Sequence, residues 1–423
     1  MNSNGKSDNK HITSAAAAAA ADPWFSNYAD RALGMRQSEV RSLFAVANRP
    51  EVVSLAGGMP NIDGLPLDFL ADATSKLIRE RGKKALQYGS GQGEEFLRSA
   101  ICEVMRPDGI TANPDNIIVT IGSQQSLDLI SQVFLNPGDT VLVEAPSYVG
   151  ALGVFDAYQA DIQHVQMDND GLIPSVLEET IIRLQKEGKN IKFLYTIPNF
   201  HNPGGMCLSA ERRPLIVEIC KKYNILLVED NPYGLLGFSG DPVPSLYNLN
   251  PEGILYLGTF SKTFAPGFRI GWTLGPQAII ERLVLANESA TLCPPAFSQF
   301  AITTYLEQYD WYQQVKEYRE VYHERGEAMQ KALEKYLPDL EWTRPTGGFY
   351  TWVKLPDGID ARDMLPRAVD CGVAYVAGNA FYADGETGAD HIRLSFCYPS
   401  PEEITEGVRR LSIAIKQELE NKY

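Results

Sequence analysis

The stretch NIIVTIGSQQSLDLISQVFLNPGDTVLVE, residues 116–144, decides the fold of this chain. An apolar run at 116–122 predicts a strand, residues 124–135 predict a helix, and the turn NPGD leads into a second buried strand at 140–144. Continuous apolar strands that alternate with helices are typical of a mainly parallel sheet covered by helices on both faces. The stretch therefore predicts the α/β class.

The same alternation continues along the chain. A helix capped by Ser209 and ending near Tyr223 is predicted among further strands at 192–198, 225–230, 254–260 and 268–275. After a long charged helix at 311–336 the pattern changes. It then predicts an alternating, antiparallel strand at 347–355, helices at 361–371 and 401–420, and short strands at 373–376 and 391–396. A second, smaller α+β domain is therefore expected.

The composition disfavours several classes of protein. Of the 423 residues, 44% are hydrophobic, which is ordinary for a globular protein, and no run of about 18 apolar residues predicts a membrane span. The 38 Lys and Arg against 53 Asp and Glu give a net charge of −15, so nucleic acid and anionic membranes are poor partners. The scattered Cys and His residues predict neither disulfides nor a metal site. The first 22 residues lack the features of a signal peptide, so we expect a disordered tail and a cytoplasmic protein.

Polar side chains follow three of the predicted strands. Asp230 closes the strand in VEDNPY, Tyr233 lies three residues on, and Lys262 follows the strand that leads into GTFSKTF. Because ligands of an open parallel sheet bind outside the carboxyl ends of its strands, these groups are candidates for one site. A partly desolvated lysine there has a lowered pKa, and its amine can attack a carbonyl. Taken singly, Asp230 is equally a turn residue and Lys262 an ordinary surface lysine.

The third strand end, IGSQQS, predicts an anion site. Ser123 and Gln124 begin a helix whose N-terminus supplies free N–H groups and the positive end of the dipole, although Ser123 also suits plain N-capping. Arg269 adds a fixed positive charge. A phosphate cradle, an acid, a tyrosine and an amine on one sheet match pyridoxal 5′-phosphate (PLP), which requires a lysine for its Schiff base and an acid beside its ring nitrogen.

These residues lie in strings by which the chain resembles the fold-type I PLP enzymes of the class I/II aminotransferase family, most closely the 2-aminoadipate and kynurenine aminotransferases. The resemblance covers about residues 24–416. The strings, in order, are SLAGGMP (54–60), LQYGSGQG (86–93), TIGSQQSLDL (120–129), EAPSYVGAL (144–152), IPNFHNPGG (197–205), VEDNPY (228–233), FSKTFAPGFRIGW (260–272), RPTGGFYTWVKLP (344–356) and HIRLSF (391–396). The chain departs from the family at Gly204, where Thr or Ser usually follows Asn-Pro, and at Pro232.

The resemblance implies a role in cofactor binding for each matching residue. Lys262 would form the internal aldimine and act as the base of the proton shift, and Asp230 would pair with the ring nitrogen. Tyr233 and Asn202 would bind the phenolic oxygen, and Tyr148 would stack on the ring. The phosphate would be held by Ser123, Gln124, Thr259, Ser261 and Arg269.

The resemblance also implies contacts with substrate and with a second subunit. Arg393 would clamp the substrate α-carboxylate, a bidentate task suited to guanidinium, and Gly58 would let the N-terminal segment approach closely. Arg41 is either a contact for a side-chain carboxylate or a helix-surface residue. Tyr88 would reach the cofactor phosphate of the neighbouring subunit, so a homodimer with shared sites is expected.

The resulting hypothesis is a PLP-dependent transaminase. It would move the amino group of an L-2-amino acid (aromatic, branched-chain or 2-aminoadipate/kynurenine-like) to a 2-oxo acid such as 2-oxoglutarate. Residues 1–22 would be the tail, 23–64 a segment that joins the small domain and covers the site, 65–307 the large cofactor domain, and 308–423 the small domain. Another reaction on the same cofactor, C–S β-elimination or decarboxylation, is the alternative. Dinucleotide, P-loop and nucleophile-elbow motifs are missing, and a DNA-binding regulator would need a helix-turn-helix module.

Overall fold

The computed structural model describes residues 22–35, 49–240 and 242–420. Arg41 and residues 1–21 of the predicted tail lie outside these ranges, so the predictions made for them are not addressed by the structure. The strands are β1 (Val53–Ser54), β2 (Ile117–Thr120), β3 (Thr140–Ala145), β4 (Asp161–Asp168), β5 (Gly171–Leu172), β6 (Ile191–Thr196), β7 (Leu226–Asp230), β8 (Ile254–Thr259), β9 (Gly271–Leu274), β10 (Tyr350–Lys354), β11 (Val373–Ala374), β12 (Val376–Ala377) and β13 (His391–Ser395). The helices are α1 (Asp30–Gly34), α2 (Leu67–Ala85), α3 (Glu95–Val104), α4 (Ser123–Phe134), α5 (Val149–Ala157), α6 (Pro174–Lys186), α7 (Arg212–Lys222), α8 (Gln277–Thr291), α9 (Ala296–Gln308), α10 (Trp311–Tyr336), α11 (Ala361–Asp370) and α12 (Pro401–Glu420).

The centre of the fold is a sheet whose strands, in the described ranges, follow the order β2-β9-β8-β7-β6-β3-β4-β5. Strands β4, β3, β6, β7 and β8 pair in parallel, whereas β9 and β5 are antiparallel to their neighbours. Every residue of β8 is buried, and so is nearly every residue of β3 and β7. Strands apolar on both faces need cover on both faces, which explains why these runs showed no alternation. The predicted α/β class is confirmed.

A second core lies around β13, which pairs antiparallel with β10 on one side and β12 on the other. Helix α12 packs on α10 and α11 here. Strand β1 pairs in parallel with β11, and Leu55 is buried in this core. The segment after residue 49 therefore joins the C-terminal part of the chain. Helix α10 contributes to both cores, with Val315 and Tyr322 in the first and Met329 and Leu333 in the second.

Two of the local predictions that differ from the structure have a clear physical reason. Ser209 does not cap α7: its N–H donates to Asp170 O and its carbonyl accepts from Arg212 N, so the helix begins only at Arg212 with Glu211 as the N-cap. The strand predicted at 268–275 is shorter because a 3₁₀ turn precedes it and Arg269 adopts a left-handed φ of 55°, which interrupts extended backbone. Within the described part of the chain, we find no helix with the length and apolar character needed to cross a membrane.

Candidate active site

A cavity of about 850 Å³ opens where the central sheet meets the second core. Its walls come from the ends of β7 and β8, the first turns of α4 and α5, and the facing strands β10 and β13. Twelve of the predicted site residues line it, namely Gly58, Ser123, Gln124, Tyr148, Asn202, Asp230, Tyr233, Thr259, Ser261, Lys262, Arg269 and Arg393. The fold thus gathers residues that are up to 335 positions apart in sequence, from Gly58 to Arg393, at the carboxyl edge of one sheet.

Lys262 is the amine of the cavity. Its Nζ donates to the backbone carbonyl of Gly58 at 2.8 Å. Burial lowers the pKa of this amine to about 8, helped by the positive charges of Arg393 and Arg269 and opposed by Cys397. About a tenth of the amine is therefore unprotonated at pH 7, far more than for an ordinary lysine, and it is this form that acts as a nucleophile or base.

Asp230 is the buried acid of the cavity. Its Oδ2 accepts a hydrogen bond from Tyr195 Oη at 2.7 Å, whereas Oδ1 has no hydrogen-bond partner among the described residues. Burial raises the pKa of this carboxyl to about 7, and the bond from Tyr195 opposes the rise. A buried acceptor without a partner is costly, so Oδ1 calls for a cationic or N–H donor inside the cavity.

The first turn of α4 forms the anion cradle. Gly122, at the N-cap, has a φ of 74° and a ψ of 166°, a conformation that only glycine adopts readily. A Cβ on Gly122 would lie 2.7 Å from Nη2 of Arg269, whose guanidinium donates to Ile121 O at 3.0 Å. Because residue 122 is glycine, the Arg269 guanidinium can lie directly beside the positive N-terminal end of α4, and the two together suit a phosphate. Ser123 is the first helical residue and not the N-cap, so plain capping does not explain it.

Tyr148 and Gln124 form a linked wall of the cavity. Tyr148 Oη donates to Gln124 Oε1 at 3.3 Å, and Gln124 Nε2 donates to Gly150 O at 2.8 Å. Burial raises the pKa of Tyr148 to about 12, with the charge of Asp230 adding to the effect. The tyrosine is neutral at physiological pH, and its ring is held in one orientation for stacking.

Arg393 is held on several sides. Its guanidinium donates to Asn202 Oδ1 at 2.9 Å and to Ala56 O at 2.7 Å, while Nε has no hydrogen-bond partner within the described ranges. The guanidinium carbon lies 4.3 Å from the ring centroid of Tyr350 and 5.0 Å from that of Phe381. No acidic side chain pairs with Arg393 among the salt bridges of the described residues. A buried guanidinium without a carboxylate is suited to receive one from a ligand.

Four residues of this region were missed at the level of sequence. Tyr195 and Tyr350 contact Asp230 and Tyr233, and both lie on predicted strands whose apolar character hid their hydroxyls. Behind Asn202, Glu144 accepts from Thr196 Oγ1 at 2.6 Å and from Ile197 N at 2.8 Å, and its Oε2 lies 3.1 Å from His201 Nε2. His201 Nδ1 accepts from Gly204 N at 3.1 Å, so Glu144 and His201 support the loop that carries Asn202. The only sequence signal for the second pair was the presence of an acid in EAPSY and a histidine in NFHNP, two of the strings shared with the family.

Tyr88 is placed differently. Its side chain is 77% exposed and does not line the cavity of its own chain. Leu86, two residues before it, is also exposed, and so are Leu285 within α8 and Leu292 just after that helix.

Comparison with known proteins is consistent with this chemistry. The family model described as aminotransferase class I and II matches residues 50–411. The chain belongs to this aminotransferase family. It is a PLP-dependent aminotransferase of fold type I, so the predicted family, cofactor and type of reaction are confirmed.

The aminotransferase is 42% identical over 395 residues to aromatic-amino-acid aminotransferase 1 of Thermococcus litoralis, a match that covers 93% of this chain and 94% of that protein. A kynurenine aminotransferase from Pyrococcus horikoshii, solved in complex with PMP, superposes with a TM-score of 0.88 at 41% identity and covers 93% of this chain and 97% of its own. The α-aminoadipate aminotransferase of Thermus thermophilus, complexed with N-(5′-phosphopyridoxyl)-L-leucine, gives a TM-score of 0.87 at 34% identity and covers 94% and 99%. The predicted subgroup is thereby confirmed.

The residues of the cavity fit PLP by their own chemistry. Asp230 Oδ1 is a buried acceptor that a protonated ring nitrogen satisfies. The space beside Gly122, which a Cβ would fill, lies between Arg269 and a helix N-terminus and suits the phosphate. The partly desolvated Lys262 suits the carbonyl group of the cofactor.

Proposed function

We propose that the protein transfers the amino group of an aromatic or kynurenine-like L-2-amino acid to a 2-oxo acid, with 2-oxoglutarate as the acceptor. The observation that carries this proposal is the buried amine of Lys262 in one cavity with an acid that lacks one partner, Asp230, and a guanidinium that lacks a carboxylate, Arg393. The cavity has room beyond the cofactor, and its remaining walls include apolar side chains, among them Met59, Val149, Val154 and Ile197. Such walls favour a large apolar side chain over a charged one. The names of the relatives include aromatic and kynurenine substrates, which is in keeping with this choice.

The site residues divide the work between binding and proton transfer. Bound PLP supplies an electron sink for the electron pair of the Cα–H bond. Arg393 clamps the α-carboxylate and thereby orients the amino acid in the cavity. The Lys262 Nζ, freed when the amino acid binds, accepts the α-proton, for which a pKa of about 8 suits it at physiological pH. Asp230 stays ionised beside the ring nitrogen and so keeps that nitrogen protonated.

The other polar residues hold the cofactor in place. Tyr233 and Asn202 are donors for the phenolic oxygen, and Asn202 has its amide nitrogen available for this because its oxygen is used by Arg393. Tyr148 stacks on the ring. Ser123, Gln124, Thr259, Ser261 and Arg269 bind the phosphate.

An absorption spectrum tests the role of Lys262. The purified protein should show a visible chromophore that borohydride bleaches, and Lys262→Ala should lose it while Lys221→Ala, at the end of α7, should keep it. A Lys262→Ala protein that retained a borohydride-sensitive chromophore would refute the assignment.

Kinetics test the carboxylate clamp. Arg393→Ala should raise the Michaelis constant for every amino acid about 10- to 100-fold, because a charged hydrogen-bonded contact contributes about 1.5–3 kcal/mol. Arg344→Ala removes a surface guanidinium paired with Glu334 and serves as the control. Unchanged constants in Arg393→Ala exclude the role. A scan of amino donors against 2-oxoglutarate then tests the side-chain preference, with 2-aminoadipate as the donor that would point to Arg41.

We also propose a homodimer in which Tyr88 reaches the cofactor phosphate of the partner subunit. Its exposure and its absence from the lining of its own cavity support this, and the exposed Leu86, Leu285 and Leu292 are candidates for the interface. Co-expression of Lys262→Ala and Tyr88→Ala chains under separate tags gives a decisive test. In a shared-site dimer the mixed species has one site with both wild-type residues, so half of its sites bind PLP with normal affinity. If Tyr88 acts within its own chain, no site is complete.

The proposal also covers the domain boundaries, the cellular compartment and the partners of the protein. We propose a large cofactor domain over residues 65–307, a small domain over 308–423, and a segment over 23–64 that joins the small domain and covers the site. The protein is expected in the cytoplasm, without nucleic acid or membrane as a partner. The net charge of −15 supports this expectation.

A further inference from the structure

Tyr350 contacts both a proposed cofactor residue, Tyr233, and the proposed substrate residue Arg393. It begins β10 opposite Ser395 of β13. Trp352, two residues further along β10 and therefore on the same face, lies opposite Arg393, so Tyr350 shares a sheet face with the guanidinium. The side chain is buried and lines the cavity. Neither the family strings nor the site prediction gave it a role, although GGFYTW contains it.

The hydroxyl of Tyr350 meets the hydroxyl of Tyr233. The two oxygens are 3.4 Å apart, and the rings stand at 89° with centroids 5.9 Å apart. Either hydroxyl can donate in this geometry. Each phenol can donate only one hydrogen bond, however, and under the proposed function Tyr233 donates its own to the phenolic oxygen of the cofactor. Tyr350 must then be the donor of the pair.

We propose that Tyr350 is a positioning residue for Tyr233: its hydroxyl donates to the Tyr233 hydroxyl and thereby strengthens the hydrogen bond that Tyr233 donates to the cofactor. The physical basis is that a chain of two hydrogen bonds polarises each member, and more strongly in a buried site than in water. This inference rests on the proposed role of Tyr233. It predicts that the acid–base midpoint of the bound cofactor depends on a hydroxyl that does not itself touch the cofactor.

The ring of Tyr350 has a second and separable task. It packs under the Arg393 guanidinium at 4.3 Å, where a cation is attracted to the ring face. The hydroxyl also lies against Gly58, where a Cβ would overlap it. Removing the hydroxyl alone therefore affects the link to Tyr233 and the contact with Gly58, whereas removing the whole ring also affects the clamp.

Other ionisable groups face this pair from several elements. Tyr148 at the start of α5, Arg393 on β13 and Cys397 just beyond β13 influence the two phenols, and Lys262 lines the same cavity. Burial raises the pKa of both Tyr233 and Tyr350, so both phenols are neutral near physiological pH. None of these groups is altered by Tyr350→Phe, so a change in the midpoint reports on the hydroxyl.

The experiment is a pH titration of the visible absorbance of the PLP-loaded protein. A donor to the phenolic oxygen favours the form in which that oxygen carries the full negative charge, which is the deprotonated form of the chromophore. Tyr350→Phe should therefore raise the midpoint by roughly 0.1 to 0.6 pH unit, because it removes only the strengthening of the Tyr233 hydrogen bond, about 10–30% of that bond, and not the bond itself. A lower midpoint would mean that Tyr233 donates to Tyr350, and an unchanged midpoint would mean that the hydroxyls are not coupled; either result overturns the proposal.

Two further variants separate this inference from its premises. Tyr233→Phe should raise the midpoint more than Tyr350→Phe does, and the double variant should match Tyr233→Phe alone because the first hydroxyl acts only through the second. Additive shifts would overturn the proposal. If Lys262→Ala keeps the chromophore, the proposed function itself fails, independently of Tyr350.

A binding measurement tests the task of the ring. The probe is 3-phenylpropionate, a carboxylate without an amino group, titrated into the PLP-loaded protein by calorimetry. Tyr350→Phe should leave its dissociation constant within about two-fold, and Tyr350→Leu should weaken it about three- to ten-fold through the lost cation–π contact. Equal weakening in both variants would show that the ring and the hydroxyl are not separable.

Discussion

Replacing Asp230 by Asn should change how the stability of the cofactor-free protein depends on pH. Burial raises the pKa of Asp230 from 3.8 to about 7 because nothing described in the cavity offsets the desolvation of the carboxylate except Tyr195. Between these two values the folded chain holds a proton that the unfolded chain has lost. The free energy of unfolding therefore falls as pH rises through this window.

The size of the effect follows from the same pKa. At about 1.4 kcal/mol per pKa unit, the interval from pH 5 to about 7 corresponds to about 3 kcal/mol lost by the wild type through this carboxyl. Asp230→Asn keeps an acceptor for Tyr195 and cannot ionise, so the part of the pH dependence of the unfolding free energy that comes from residue 230 disappears. The assay is urea unfolding of the cofactor-free protein at pH 5 and pH 8, at one protein concentration, with the difference between variant and wild type as the readout.

Asp139→Asn is the matched control. The pKa of Asp139 is lowered: desolvation raises it, but hydrogen bonds from Asn136, Asn190 and Lys192 outweigh that. Its contribution is present above pH 4 and lost only in acid, so its difference from wild type should be flat from pH 5 to pH 8. Asp108, another buried acid with a pKa raised to about 7, titrates in wild type and variant alike and cancels. If Asp230→Asn shows the same pH dependence as wild type, the reasoning about its burial is wrong.

Three other variants test the supporting structure. Gly122→Ala should weaken PLP binding at least about ten-fold, measured by absorbance titration, because the Cβ would displace the Arg269 guanidinium and strain the backbone. His164→Gln removes a partly buried imidazole whose Nδ1 lies 2.8 Å from Glu144 O and whose Nε2 accepts from Ala383 N. Burial lowers the pKa of His164, so its advantage over Gln in unfolding free energy should shrink as pH falls below about 6.5. Glu144→Gln should cost about 2–4 kcal/mol in urea unfolding, since an amide N–H₂ then faces buried donors.

Each of these three predictions has an outcome that would contradict it. Gly138→Ala has a similar left-handed φ of 83° but open space around it, so it should lose stability without losing PLP affinity. Equal PLP affinities in the two glycine variants would reject the steric argument. A His164→Gln difference that is constant from pH 5 to pH 8 would reject the titration. For Glu144, Thr196→Val removes a single donor and should cost about 1 kcal/mol. A larger loss in Thr196→Val would contradict the argument that the cost of Glu144→Gln comes from several buried donors facing an amide.

Sequence periodicity was sufficient for most of the fold. Helices α10 and α12 and the strands β3, β7 and β8 begin and end within about two residues of their predicted limits. Burial on both faces produces a continuous apolar run, and an amphipathic helix produces its own period, so both signals are local. The prediction at Ser209 was wrong: its N–H donates to Asp170 O, a contact distant in sequence, and α7 begins only at Arg212.

The chemical types at strand ends were equally informative about the site. Lys262, Asp230 and Ser123 follow buried strands, and parallel strands bring their carboxyl ends to one edge, so a shared cavity follows from topology alone. Arg393 was assigned only through the family resemblance, because nothing local connects a short strand near the C-terminus to a cavity on another sheet.

The sequence by itself determined which groups meet: an amine, an acid and an anion cradle at one sheet edge, since the strand ends and the alternation of strands with helices are local patterns. Only the tertiary structure decided the state of those groups. Burial and neighbours from distant strands set the lowered pKa of Lys262 and the raised pKa of Asp230, left Asp230 Oδ1 without a partner, and placed Tyr350 between Tyr233 and Arg393. Desolvation and hydrogen-bond geometry depend on how residues far apart in the chain pack together, and no local pattern encodes them.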